Sequence, residues 1–203
     1  MDIKLFYQDL QKQSSEGHLL DFCRKRVIHG IPYVFEGRED DYYEFRKRIS
    51  EKFEVSFHEV YITGSAKLGF SYYKDKSFDL DSDIDVAIVS SESFERIMEF
   101  IRKYQMDLRE ARKTINENEL NMYHEFLEYI ALGWIRPDKL PLSFQVKELK
   151  DDWFEFFKSL SNGKSEVGNY KINAGIFKSY FHLESYLVEG MTTAKYSLNV
   201  SER

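Results

Sequence analysis

The chain of 203 residues has few of the residues that build covalent or metal-bound frameworks. Its single cysteine, Cys23, excludes an intrachain disulfide framework and, with its apolar neighbours, predicts a buried structural thiol. The five histidines are scattered, and their spacing does not indicate a zinc site. Disulfide-rich and zinc-held architectures are therefore excluded.

Long apolar runs and long basic runs are also missing. No segment approaches the roughly 20 apolar residues that a membrane span needs, and the N-terminus lacks the apolar core of a signal peptide. We therefore expect a cytoplasmic protein with no membrane partner. Lys and Arg never occur more than three in a row, and the net charge is −6. This balance argues against long duplex nucleic acid as a partner.

The chain is rich in apolar and aromatic residues. Hydrophobic residues make up 42% of it and aromatic residues 16%, which favours a packed globular core over disorder. We find no repeat, low-complexity segment or flexible linker. The prediction is a single domain over 1–203, in which 1–38 is an N-terminal helical extension and 91–203 completes the sheet and its helical cover.

Periodicity and turn residues predict an α/β (α+β) order of elements. Strands are predicted near 59–63, over 83–89 and over 170–177. Residues 133–141 are interpreted as an ordered loop, and 142–149 as a strand or the approach to a helix at 153–157. Helices are predicted over 1–29 with a break near 14–17, and over about 40–53, 94–101, 117–132 and 180–196.

One constellation carries a defined chemistry. Gly64-Ser65 follows the first predicted strand, and Asp83 and Asp85 lie two residues apart in the next. Residues i and i+2 of a strand project from the same face, so the two carboxylates lie together and repel each other. A divalent cation relieves that repulsion, and an all-oxygen pair suits Mg²⁺ or Mn²⁺.

The order of these features, over about residues 59–90, resembles the signature of the DNA polymerase β-like nucleotidyltransferase superfamily. The resemblance implies a mixed central sheet flanked by helices, with extra helices at both ends. It further implies that Gly64 allows a tight turn and that Ser65 holds phosphate oxygens of a nucleoside triphosphate. Asp83 and Asp85 would bind the metal and act as the catalytic carboxylates.

Two further residues are assigned to nucleotide binding by the same resemblance. Lys67 would add positive charge near the phosphates, with an exposed helix lysine as the alternative. Ser71 lies near a position where related enzymes often carry another small hydroxyl residue. The loop between Ser65 and Asp83 also carries aromatic residues, which either cover the nucleotide base or pack on the core.

Active members of this superfamily usually have a third carboxylate on a neighbouring strand. Two residues are candidates for that third ligand here. Asn173 lies on the polar face of the predicted 170–177 strand, where its amide could bind metal but could not act as a general base. Glu148 is the other candidate, near the end of the 142–149 segment.

The resemblance implies a Mg²⁺-dependent nucleotidyltransferase that moves a nucleoside monophosphate from a triphosphate to an acceptor hydroxyl. The acceptor would be a tRNA end, a protein side chain, a small molecule or a second nucleotide. Small bacterial members often belong to toxin–antitoxin or phage-defence systems, which implies a partner protein from the same operon. The alternative is a subunit with this fold and little or no catalysis, which senses nucleotide or scaffolds a partner complex.

Overall fold

The computed structural model describes residues 2–74, 76–136 and 147–201, without the side chains of 147–151 and 198–201. It is a mixed structure, 61% helical with a small mixed sheet, which confirms the expected α+β class. The helices are α1 (Ile3–Gln11), α2 (Glu16–Cys23), α3 (Glu39–Phe53), α4 (Gly64–Leu68), α5 (Ser91–Arg109), α6 (Glu117–Ala131), α7 (Lys147–Leu160) and α8 (Tyr180–Ser201). The strands are β1 (Val60–Thr63), β2 (Phe70–Ser71), β3 (Lys76–Ser77), β4 (Asp83–Val89), β5 (Trp134–Ile135) and β6 (Lys171–Phe177).

Helix starts follow the polar residues that cap them. The side chains of Ser15, Ser90 and Asn116 accept hydrogen bonds from main-chain N–H groups in the first turns of α2, α5 and α6. Asn116 and Glu119 form a reciprocal capping box. These caps explain why the predicted starts of α5 and α6 lie close to the observed ones.

The central sheet has the strand order β1-β4-β6-β5. β4 pairs antiparallel with β1 and parallel with β6, and β5 pairs antiparallel with β6. Parallel pairing needs a crossover, which here runs through α5, α6 and α7 between β4 and β6. β4 therefore lies inside the sheet, between β1 and β6.

The two faces of this sheet support two separate apolar cores. One contains Ile84, Val86 and Ile88 of β4 and is covered by residues of α3, α5, α6 and α7. The other contains Ala87 and Val89 together with residues of α1, α2, α4 and α8. Strand alternation explains the division, since successive side chains of β4 point to opposite faces.

The N-terminal helices pack against the C-terminal helix. Arg24 begins a π-helical turn (Arg24–Ile28) after α2, and its guanidinium donates two hydrogen bonds, of 2.6 and 3.0 Å, to the Glu184 carboxylate on α8. Cys23 is fully buried in the same core, as expected. Among the described helices, none combines the length and apolar character that crossing a bilayer requires.

Two expected segments differ from the structure. Trp134–Ile135 forms strand β5 inside the segment interpreted as a loop, because its two residues find partners on β6. The loop after α4 contains the short β2–β3 hairpin, which no alternation of the sequence revealed. Residues 147–149 lie in α7, in agreement with the second of the two alternatives for 142–149, whereas 137–146 lie outside the described residues.

Candidate functional site

The two aspartates of β4 lie at the uncovered end of the face that carries Ala87 and Val89. Asp83 is half-buried, and Asp85 is exposed to solvent although its carboxyl group lies close against the Gly64 turn. Burial, and then the charge of Asp83, raise the pKa of Asp85 to about 6 from its ordinary value of 3.8. The charge of Asp83 therefore disfavours the charged form of Asp85, as the spacing of the two residues predicted.

Gly64 lies directly against the second of these carboxylates. Its φ is +63°, in the left-handed region, and a Cβ at this position would lie 2.8 Å from Oδ2 of Asp85. The left-handed conformation favours glycine, and any side chain at this position would also displace the Asp85 carboxylate. Ser65 follows in the first turn of α4 and is half-buried. The structure thus brings the Gly64-Ser65 turn and Asp85 together, although 19 residues lie between Ser65 and Asp85 in the chain.

Asn173 lies beside the carboxylates on the neighbouring strand. It is the register partner of Asp85 on β6, and its Nδ2 donates a 3.0 Å hydrogen bond to Oδ2 of Asp83. Lys171, the register partner of Asp83, places Nζ 3.9 Å from the same oxygen. The side chain of Glu148, the other candidate for the third ligand, lies outside the described residues.

Among the residues whose side chains are described, the acidic cluster at this site has two members, Asp83 and Asp85. Within residues 2–74, 76–136 and 147–201, no group of three or more His, Cys, Asp or Glu side chains could hold a metal ion. Asp83, Asp85 and Asn173 nevertheless supply only oxygen donors and one amide, which is the chemistry that Mg²⁺ or Mn²⁺ takes.

Lys67 is buried, which contradicts the alternative of an exposed helix lysine. Its side chain is only 7% exposed, and Nζ donates to the carbonyl oxygens of His29 (2.6 Å) and Gly30 (2.7 Å). Burial lowers the pKa of Lys67 to about 8. This lysine joins α4 to the residues that follow the π-helical turn, so its charge serves the fold at that junction.

Ser71 makes a local hydrogen bond, and most of the aromatic residues of the loop pack against other rings or the core. The Ser71 hydroxyl accepts a 3.3 Å hydrogen bond from the main-chain N–H of Lys74, which shapes the hairpin turn. Phe70 and Tyr72 are buried in the core, whereas Tyr73 is 58% exposed. Phe78 packs between other aromatic rings and helps line a cleft of about 410 Å³ that neither Asp83 nor Asp85 lines.

Sequence reasoning missed the positive charges around the carboxylates. Arg136, Lys171 and Lys74, in that order, act to lower the pKa of Asp85 against the stronger effects that raise it. They come from three separate parts of the chain: the end of β5, the start of β6 and the β2–β3 hairpin. Lys171 alone had a sequence signal, since it shares the polar face of its strand with Asn173.

Comparison with known proteins supplies no relative: no protein-family model matches the chain, and neither a curated protein nor a solved structure matches it.

Proposed function

We propose that this protein has the polymerase β-like nucleotidyltransferase fold and binds a nucleoside triphosphate together with a divalent cation at Asp83 and Asp85. The observation that carries the proposal is the contact between the Gly64 turn and the Asp85 carboxylate. The glycine turn and the carboxylate pair lie next to each other in the fold, although a loop separates them in the chain. The mixed sheet with β4 between β1 and β6 supports the same fold.

The residues present fit a divalent cation. Carboxylates from two residues lie on one face of β4, and the absence of a side chain at Gly64 lets the turn approach one of them closely. Mg²⁺ or Mn²⁺, when bound by Asp83 and Asp85, would neutralise charge on the triphosphate and polarise the α-phosphate. Ser65 would donate its hydroxyl hydrogen to a phosphate oxygen from the turn that Gly64 forms.

The proposed reaction is a nucleotidyl transfer. An acceptor hydroxyl oxygen forms a bond to the α-phosphorus, the bond from that phosphorus to the β-phosphate oxygen breaks, and pyrophosphate leaves with the electron pair. The proton of the hydroxyl passes to water, because the amide of Asn173 cannot accept it at neutral pH. The chain's own contribution is to fix the triphosphate between Gly64-Ser65 and the carboxylates.

The test is label transfer from each of the four α-labelled nucleoside triphosphates in the presence of Mg²⁺. The acceptors offered are total tRNA, cell lysate, free nucleotides and candidate partner proteins. We expect transfer by the wild-type protein and none by the Asp83→Ala/Asp85→Ala variant, whose fold is checked by circular dichroism. Transfer that persists in the double variant would contradict the role assigned to the carboxylates.

A second candidate function is nucleotide binding without turnover, in a sensing or scaffolding subunit. The specific observation in its favour is the hydrogen bond from Asn173 to Asp83. An amide occupies the position at which the proposed fold would have a third carboxylate as base. Magnesium-dependent triphosphate binding with no transfer to any acceptor would favour this second function. If Asn173→Asp then produced transfer, the asparagine would be identified as the residue that limits catalysis.

A further inference from the structure

Lys171 is a basic residue that the sheet places directly beside the two carboxylates. It is the first residue of β6, and the parallel register sets it opposite Asp83, as it sets Asn173 opposite Asp85. Residues i and i+2 of a strand project from the same face, so Lys171 and Asn173 share one side of β6. That side faces the carboxylates, because Nδ2 of Asn173 donates a 3.0 Å hydrogen bond to Oδ2 of Asp83.

The ammonium group of Lys171 approaches the same carboxylate without a hydrogen bond to it. Its Nζ lies 3.9 Å from Oδ2 of Asp83, which is close enough for attraction but too far for a hydrogen bond. Within the described residues, no other carboxylate or hydrogen-bond acceptor pairs with this Nζ. The three N–H donors of the ammonium are therefore available to a ligand.

The start of β6, where Lys171 lies, is open to solvent. β5 pairs only with Ile176 and Phe177, at the other end of β6, so among the described strands only β4 pairs with Lys171. The Lys171 side chain is 67% exposed, and that of Asp83 is 44% exposed. A ligand at the carboxylates can therefore contact Lys171 without entering the core, and the flexible stem of the lysine lets its ammonium follow the ligand.

A positive charge in this position acts differently on a free metal ion and on a metal–triphosphate complex. Two cations beside one carboxylate repel each other, so Lys171 and a free Mg²⁺ or Mn²⁺ compete for Asp83. The complex has a net negative charge, and its phosphate oxygens accept hydrogen bonds. Lysine binds phosphate as a mobile point charge. The same ammonium therefore opposes the free ion and attracts the complex.

We infer that Lys171 makes the site selective for a metal–triphosphate complex over the free metal ion, by donating its N–H groups to phosphate oxygens. This inference rests on the proposed function, because it requires a triphosphate at Asp83 and Asp85. It adds a phosphate-binding residue from β6, outside residues 59–90. Removal of this one charge should change the two affinities in opposite directions.

The experiment measures both affinities on the full chain. Titration with Mn²⁺ alone, followed by the electron paramagnetic resonance signal of the free ion, gives the affinity for the bare cation. Calorimetry gives the affinities for the magnesium complexes of inorganic triphosphate and of ATP, GTP, CTP and UTP. Inorganic triphosphate isolates the phosphate contact, because it has neither base nor sugar.

Two variants remove the charge and two serve as comparisons. Lys171→Gln and Lys171→Thr both remove it, and threonine suits a strand, so either variant decides if the other does not fold. Lys171→Arg keeps the charge. Lys178→Gln is the matched control, because Lys178 follows the other end of β6, pairs with Glu95 and changes the net charge equally when lost. Thermal unfolding verifies that each variant is folded.

We expect the charge-removing variants to bind Mn²⁺ about 2- to 5-fold more tightly, which is the range of an exposed ion pair. They should bind every magnesium triphosphate about 5- to 10-fold more weakly, because they lose a charge-assisted contact in a site open to solvent. Lys171→Arg should resemble the wild type more than Lys171→Gln does. Lys178→Gln should leave both affinities unchanged.

The other patterns overturn the inference. Two affinities that both fall, or both rise, would contradict selection of the complex over the free ion. Two unchanged affinities would identify Lys171 as a surface ion pair only, and equal changes in Lys178→Gln would identify general electrostatics. Weaker binding of the nucleoside triphosphates but not of inorganic triphosphate would place Lys171 at the base or sugar instead of the phosphates.

Failure of the inference and failure of the proposed function give different results. Wild-type affinity for the triphosphates in the charge-removing variants, with loss of binding in Asp83→Ala/Asp85→Ala, overturns the role of Lys171 alone. Absence of binding by the wild-type protein to all four nucleoside triphosphates overturns the proposed function and this inference with it.

Discussion

The two faces of strand β4 have opposite relations to solvent, although they belong to the same seven residues. Ile84, Val86 and Ile88 are buried throughout, under helices on one side of the sheet. The other face is covered only over Ala87 and Val89, and it ends in two aspartates that the covering helices leave open. The buried face fixes the strand in the core. Because the strand is fixed, the two aspartates on the open face are kept close together.

The largest expected effect comes from placing a charge on the closed face. We expect Ile84→Asp to lower the free energy of unfolding by about 4 kcal/mol or more, because its carboxylate would be buried without a partner. Ile84→Val is the control and should cost about 1 kcal/mol. Chemical denaturation measures both. If the aspartate variant were as stable as the valine variant, β4 would not be buried on this face.

Gly64→Ala should have the next largest effect. The substitution puts a Cβ 2.8 Å from Oδ2 of Asp85 at a φ of +63°. We expect a loss of about 1–2 kcal/mol of stability, part from the left-handed conformation and part from displacement of the carboxylate. Gly163→Ala is the matched control, because Gly163 has a φ of +77° and no atom within 4 Å of its Cβ position.

The comparison between these two glycine variants isolates the contact with Asp85. Denaturation gives the stability of each, and calorimetry gives the affinity for the magnesium triphosphates. Only Gly64→Ala should lose affinity. Equal stability and equal affinity in the two variants would mean that the Gly64–Asp85 approach has no consequence.

Asp85→Asn should stabilise the metal-free protein at pH 7. The pKa of Asp85 in the fold, about 6, is above its ordinary value of 3.8, so the wild-type protein loses stability as the pH rises from 3.8 to 6. We expect the substitution to recover about 1 kcal/mol above pH 6 after solvent screening is allowed for, and nothing below pH 3.8. For a chain of this size, that gain is about 2–4 °C in Tm.

Melting curves from pH 3.5 to 7.5, with and without Mg²⁺, measure this difference. Added Mg²⁺ should raise the Tm of the wild-type protein at pH 7 and change that of Asp85→Asn much less. A wild-type protein more stable than the variant at pH 7 without metal would reverse the predicted sign. That result would mean that the charged form of Asp85 is more stable in the folded protein than in the unfolded chain.

The smallest expected effect on stability comes from the ion pair between Arg24, at the end of α2, and Glu184 on α8. Arg24 and Glu184 join α2 to α8 by two hydrogen bonds between partly exposed side chains. A double-mutant cycle with Arg24→Ala and Glu184→Ala should give a coupling of about 0.5–1 kcal/mol that falls as salt is added. A coupling independent of salt would show that packing, rather than charge, joins these helices.

The sequence predicted best those elements whose signals are local. The alternation around Asp83 and Asp85 located β4 from its first residue to its last, and caps such as Ser90 located the helix starts. Strand β5 was missed, because two residues cannot display an alternation and their pairing with β6 depends on the tertiary fold. The effect of Arg136 on Asp85 was missed for the same reason, because the position of Arg136 depends on the pairing of β5 with β6.

Buried charged side chains were a second feature that the sequence did not predict. Lys67 occupies a position where sequence patterns favour an exposed helix lysine, yet two main-chain carbonyls over 35 residues away in the chain accept its hydrogen bonds. A single sequence gives no sign of such a contact, since carbonyl groups are present at every residue. Asn173, by contrast, was correctly expected on the polar face of its strand, because alternation is again a local signal.

The hydrogen bond between Asn173 and Asp83 joins residues 90 positions apart, and the Arg24–Glu184 pair joins residues 160 apart. Contacts of such sequence separation form slowly, because each closes a long loop before it gains stability. During synthesis, β4 is made long before its partner β6. A nascent chain therefore carries the two aspartates on an incomplete sheet, and the carboxylate site forms only after residue 173 has left the ribosome.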